Sequence, residues 1–332
     1  MSTAAKPAVV LEIGSKYVRA GFAGEAAPRC VYDSPLGALG DAASLGRDAW
    51  RGALDACLGD VFARGLLGPR GVALLLENPT APRELREALV DGVFLAGARS
   101  VAFCPGLAAA AASQTALVVD VGACESRAVA VVRGRLLAHT LVVARVGADA
   151  VAARLGDLGA TGAAAARADV AARACFARRR NGADAPGPAL AFRDGAGAAP
   201  WAARRAAADA LFDADAESEE AGLGALVLDC LGRAALELRA PLAANVLPVG
   251  GGAALPGFDV RLLDELRALD GRLDFAVAYS PFPRCDAAWV GGSLLAAAAA
   301  PGALPGLSAA DLDAAGLPDV FAVAGTGAVV AT

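Results

Sequence analysis

Short runs of β-branched and aliphatic residues, closed by glycine, alternate with stretches of helical periodicity through the first half of this chain. Val9 to Ile13 and Tyr17 to Phe22 predict two strands joined by the turn Gly14-Ser15-Lys16, with Gly21 and Gly24 punctuating the second. Asp48 to Arg64 reads as a helix that gathers Leu54, Cys57, Leu58, Val61 and Phe62 on one face. Gly71 to Leu76 reads as a buried strand, and Thr80 followed by Pro82 opens a charged helix over Arg83 to Ala96. A short strand before Pro105, a helix from Gly106 to about Ser113 and a strand over Ala116 to Asp120 follow. Arg127 to Val132 and Leu136 to Val143 predict a second hairpin, closed at Arg133-Gly134. Strand, acidic glycine turn, strand therefore occurs twice, which implies an internally duplicated α/β architecture with a cleft between its halves.

The second half reads as helix-rich. Helices are expected over Ala148 to Leu155, Ala165 to Arg178, Trp201 to Phe212 and Ser218 to Leu236, with a polar link at Asn181 to Pro188. A strand over Asn245 to Val249 runs into Gly250-Gly251-Gly252, and a helix over Gly257 to Leu269 then carries Phe258, Val260, Leu262, Leu263 and Leu266. A strand, glycine loop and helix in that order favour a phosphate or nucleoside.

Composition changes this picture little. The apolar share is 56%, but alanine supplies much of it, and alanine carries little positional information. A net charge of −5 gives no reason to expect nucleic acid or an anionic membrane as a partner. Seven cysteines without a CxxC pair point to a reducing compartment and to buried small side chains. Met1 to Lys6 has no apolar core, so no signal peptide is expected. Val101 to Val119 and Ala287 to Leu307 are uncharged and long, but Pro105-Gly106, Gly291-Gly292 and Pro301-Gly302 interrupt them, so buried elements rather than membrane spans are expected.

The candidate chemistry sits at the two turns. Glu12-Ile13-Gly14-Ser15 and Asp120-Val121-Gly122 each end a strand with an acid and a glycine. Glycine lets backbone N–H groups approach a phosphate, and the acid can hold a hydrated divalent cation. His139, the only histidine, is expected as a core residue, which argues against a histidine-based hydrolase or metal site. Arg178-Arg179-Arg180 is expected to close a helix against its own dipole. Trp50, Trp201 and Trp289 are expected to pack.

Four segments carry a family resemblance. Val10-Leu11-Glu12-Ile13-Gly14-Ser15 with Ala20-Gly21-Phe22-Ala23-Gly24-Glu25-Ala26-Ala27-Pro28-Arg29 resembles the opening of actin and its relatives. Leu247-Pro248-Val249-Gly250-Gly251-Gly252 with Leu255-Pro256-Gly257-Phe258 resembles that family's adenosine segment. Ala288-Trp289-Val290-Gly291-Gly292-Ser293 resembles its late tryptophan-glycine-glycine helix, and Ser308 to Gly316 its C-terminal acidic turn. The matches keep the family's order along nearly the whole chain.

The resemblance implies an actin-like (ribonuclease H-like) α/β fold of two duplicated lobes around a nucleotide cleft, with a reduced outer subdomain. Lobe I would span 1–120, with the outer subdomain largely missing between 31 and 70, lobe II 121–284, and 285–332 would return to lobe I. Nucleotide contacts would come from Glu12, Gly14, Ser15, Lys16, Asp120, Gly122, Gly250 and Gly251, and the ligand implied is ATP or ADP with magnesium. Several positions depart from the pattern. Lys16 stands where actins have a second glycine. Pro105 and Gly106 stand where a glutamine orients the attacking water, Arg127 replaces a histidine, and Ala123 replaces an aspartate. Ala171, Ala172 and Cys285 stand where charged side chains cradle the nucleoside. Losing such hydrogen bonds, each worth roughly 1.5–3 kcal/mol, weakens a nucleotide site steeply.

No catalytic residue is therefore expected. Ala172-Arg173-Ala174-Cys175-Phe176, Leu228-Asp229-Cys230-Leu231 and Leu242-Ala243-Ala244-Asn245-Val246 resemble the subgroup found at the pointed end of dynactin. That resemblance implies a cytoplasmic, cytoskeletal structural subunit whose partners are actin-related filament subunits and other dynactin pointed-end proteins. Two alternatives stay open: a slow ATPase using Glu12, Gly14, Ser15 and Asp120 with magnesium, and a divergent nuclear actin-related protein in a chromatin complex.

Overall fold

The computed structural model of the chain describes residues 7–38, 46–64, 71–112, 114–182, 186–195, 197–213, 222–299, 304 and 306–321. The chain divides into two compact units, one of Met1–Gln114, Val131–Ala138 and Asp286–Thr332, the other of Thr115–Ala130 and His139–Cys285.

The first unit begins with the antiparallel pair β1 (Val9–Ile13) and β2 (Tyr17–Phe22), in which Glu12 lies opposite Arg19. β3 (Cys30–Asp33) adds to the outer side of β2, and a 3₁₀ turn over Pro35–Ala38 follows it. α1 (Arg47–Arg64) leads to β4 (Val72–Glu77), which lies parallel to β1. α2 (Arg83–Leu95), β5 (Ser100–Pro105) and α3 (Gly106–Ala110) complete this run, and the sheet order is β3-β2-β1-β4-β5. α3 is shorter than its sequence pattern suggests, because Ala112 turns with a φ of 45°; Ser113 lies outside the described residues.

The helical periodicity of α1 is what builds the core here. Trp50, Leu54, Leu58, Val61 and Phe62 all bury against Leu11, Val18, Leu75 and Phe103 of the sheet and Val93 of α2. Cys57, expected on that face, lies at its margin. Gly92 of α2 faces Leu58, whose Cδ1 lies 2.5 Å from where a Cβ would stand.

The second unit carries β6 (Ala116–Val121) and the start of β7 (Ser126–Val132); Val131 and Val132 at the end of β7 pair with β8 (Arg135–Leu136) and belong with it to the first unit. The second hairpin differs from its expected form. Its return is broken by a 3₁₀ turn at Ala138–Thr140, after which β9 (Val142–Ala144) rejoins β7. The break exposes His139, expected in the core, and buries Thr140 instead, whose hydroxyl oxygen accepts the Ala130 N–H at 2.9 Å.

α4 (Ala148–Asp157) and α5 (Ala164–Ala174) follow, then the small hairpin β10 (Leu190–Ala191) and β11 (Ala198–Ala199). α5 ends four residues before the expected Arg178, because Cys175 is extended with ψ 156°. The segment expected as one helix from Trp201 divides into α6 (Trp201–Ala206) and a 3₁₀ turn over Ala207–Leu211. α7 (Leu223–Arg233) stops at the extended Ala234, and α8 (Leu236–Ala243), which holds Pro241, begins anew; the expected start at Ser218 lies outside the described residues. β12 (Val246–Val249) pairs in parallel with β6, placing Val249 beside Asp120, and α9 (Phe258–Leu269) follows its glycine loop.

The chain returns to the first unit with α10 (Ala287–Ala298), which packs on α3, β1 and β4. Trp289 is fully buried and donates its indole N–H to the Val10 carbonyl at 3.2 Å. α11 (Ala309–Ala315) starts with a capping box between Ser308 and Asp311. No helix among the described residues is long and apolar enough to cross a membrane.

Candidate functional site

The first turn is a tight hairpin whose glycine serves the turn itself. The Gly14 N–H donates to the Tyr17 carbonyl at 2.9 Å. The Lys16 carbonyl accepts from the Ser34 N–H at 2.9 Å, and a Cβ at Gly37 would lie 2.8 Å from the Ser15 carbonyl, so segment 34–37 packs over the turn. Lys16 is half-buried, with its ammonium 6.0 Å from the Tyr17 ring centre. Glu12, at the end of β1, faces Arg19 at 3.7 Å, and Arg19 also reaches Asp286 at 3.0 Å.

The second turn repeats this geometry. The Gly122 N–H donates to the Glu125 carbonyl at 3.0 Å, the same three-residue reach as Gly14 to Tyr17. Asp120 is buried and bonded directly to Arg127, which also faces Glu125 at 3.6 Å. Acid and arginine stand seven positions apart in both turns, Glu12 with Arg19 and Asp120 with Arg127. The first N–H groups of α4 are also engaged: Ala148 and Asp149 donate to the carbonyls of Gly122 and Ala123, each at 2.9 Å. The helix end that would offer N–H groups to a phosphate is thus turned onto the loop's own carbonyls.

The glycine loop after β12 lies against the second turn. Gly250 adopts φ +87°, and a Cβ there would lie 2.5 Å from the Asp120 carboxylate and from the Val121 carbonyl, so only glycine fits. Gly251 faces open space, with nothing within 4 Å of an added Cβ. Asp120, Gly122, Gly250 and Gly251 therefore gather within the second unit, while Glu12, Gly14, Ser15 and Lys16 share one turn of the first. On the adenosine side, the Ala171 methyl is buried in α5 and the Ala172 methyl is exposed, so neither offers a polar group.

Magnesium needs oxygen ligands, usually one or two carboxylates with water and phosphate. The acids that would supply them, Glu12 and Asp120, each face a guanidinium that is always charged. The donor set therefore does not fit a divalent cation. Among the described residues no group of three or more His, Cys, Asp or Glu side chains could hold a metal either.

Three groups escaped the sequence reading. Arg19 was detectable only through the repeated seven-residue spacing. Glu77 is buried at the end of β4, where Arg86 donates to it at 2.7 Å and also holds the Pro318 carbonyl at 2.7 Å. Burial raises the Glu77 carboxyl to about 6 despite Arg86, which pulls it down. The third group is the buried set Asp209, Arg261 and Glu265, in which Arg261 bonds Asp209 and donates to Glu265 at 2.7 Å. Arg178, Arg179 and Arg180, expected to close a helix, instead pair with Asp209, Asp264 and Glu265 at 2.9, 3.6 and 3.5 Å.

Two mixed α/β sheets, with paired glycine turns and a third glycine loop, are consistent with an actin-like α/β fold. Residues 168–301 match the family model described as Actin, and over that segment the chain carries the actin family's pattern. Centractin of Schizosaccharomyces pombe is 35% identical over 79 residues, which is 24% of this chain and 21% of that protein. Actin-like protein 9 of Homo sapiens is 42% identical over 76 residues, 23% of this chain and 18% of that protein. The matched segments span about a fifth of the length of each relative.

Proposed function

We propose that this chain is a non-catalytic, actin-related structural subunit that caps the pointed end of dynactin's actin-related filament, in the manner of actin-related protein 10. Such a subunit supports dynein-driven transport on microtubules from the cytoplasm. The observation that carries this reading is the fate of the interval between β3 and β4. In the family this interval holds the outer subdomain with the loop that docks into the next filament subunit. Here α1 stands in that interval and folds onto the sheet with Trp50, Leu54 and Leu58 buried. A head-to-tail assembly stops where one half of its asymmetric interface is missing. The likeness to centractin and the arginines at both phosphate turns support the same reading.

The test is affinity purification of the tagged chain followed by mass spectrometry. Actin-related filament subunits with other pointed-end proteins of dynactin are the expected recovery. Recovery of chromatin-remodelling subunits without dynactin components would overturn the capping assignment. Denaturing the purified protein and assaying the supernatant tests the catalytic part: stoichiometric ADP with slow phosphate release would overturn the non-catalytic reading.

A further inference from the structure

We infer that the acid of each duplicated turn is held by an arginine in place of a divalent cation, so that Asp120 takes up no magnesium with or without an adenine nucleotide. This rests on the ion-pair geometry alone and is independent of the capping assignment.

The spacing is the same in both halves, and the contact is closer in the second, where Arg127 donates a hydrogen bond to Asp120. Glu12 and Asp120 each precede the turn glycine by two residues, and each faces an arginine seven residues further on, across the hairpin. Each arginine also bridges to a second carboxylate, Arg19 to Asp286 and Arg127 to Glu125. The Arg127 and Asp120 side chains are both 12% exposed, so the pair is shielded from bulk solvent. A guanidinium does not lose its proton to make way for a metal. A cation approaching Asp120 would have to displace Arg127, leaving a buried charge without its strongest partner and placing two positive groups side by side. Magnesium makes this exchange harder still, because it gives up its water reluctantly. Gly250 closes another approach, since its backbone lies directly against the Asp120 carboxylate.

The experiment is a Mn²⁺ titration of the full chain followed by electron paramagnetic resonance, with the metal alone and with ADP added. The wild-type chain is expected to show no stoichiometric site in either case. Arg127→Gln, which keeps hydrogen-bonding capacity and removes the charge, is expected to gain one Mn²⁺ per chain, bound at least about tenfold more tightly than by wild type. Adding Asp120→Asn to that variant is expected to abolish the gain. One Mn²⁺ per wild-type chain, lost in Asp120→Asn, would overturn the inference. So would a folded Arg127→Gln that gains no site. Should Arg127→Gln fail to fold, wild type and Asp120→Asn decide between them: equal Mn²⁺ counts support the inference, and a site lost with Asp120 defeats it.

Discussion

At the scale of single residues, buried charge is where this chain departs most from what its apolar pattern suggests. α9 carries Val260 and Leu263 with its other apolar residues, yet Val260 is 40% exposed and the helix buries Arg261 and Glu265. Periodicity could not show this, because the burial of Arg261 depends on Asp209, 52 positions away in the chain. Removing one member of such a set leaves the others buried and uncompensated, so Arg261→Ala is expected to cost about 3–5 kcal/mol by chemical denaturation. A loss within error of zero would show that the set is hydrated and weak. Glu77 makes a pH-dependent counterpart. Its folded value of about 6 lies above the ordinary value of 4.5, so its contribution is fully present below 4.5 and is lost as pH rises through 6. That difference is worth about 2 kcal/mol. Denaturation of wild type and Glu77→Gln between pH 4 and about 7.5 is expected to show that slope in the first and not in the second.

At the scale of elements, strands and helices governed by local pattern were legible, and those governed by distant partners were not. β1, β2, β4, β6, β12 and α2 follow from aliphatic runs, glycine punctuation and the Pro82 start. The broken return of the second hairpin was hidden, because Leu136 to Val143 is aliphatic enough to read as a strand while Thr140 turns inward to the Ala130 N–H. The separate helix α8 was hidden because Ala234 and Ala235, where α7 gives way to it, are good helix formers. At the turns, the acids and glycines were legible from type and spacing, and so was the substitution by Arg127. The pairing of Asp120 with Arg127 was not, because it needs the hairpin to be closed. α1 offers the sharpest test at this scale. Leu54 is fully buried between sheet and helix, so Leu54→Ala is expected to cost about 2–5 kcal/mol. A cost below about 1 kcal/mol would mean that α1 is not packed into the core that the capping proposal relies on.

At the scale of the whole molecule, the first unit is assembled from the two ends of the sequence. β1 receives the Trp289 indole N–H across 279 positions, and Arg19 reaches Asp286 across 267. The second unit, by contrast, draws most of its length from one uninterrupted stretch, His139–Cys285. During synthesis, then, the opening sheet emerges from the ribosome long before the helix that covers it, while the second unit has everything it needs by Cys285. Order of manufacture and order of completion are inverted, and the nascent first unit has an uncovered apolar face throughout that interval, a condition that invites chaperone capture. A chain ending at Cys285 is expected to keep slow amide exchange in β6 and β12 while β1 and β4 lose it. Full protection of β1 in that shortened chain would show that the early sheet closes without its last helix.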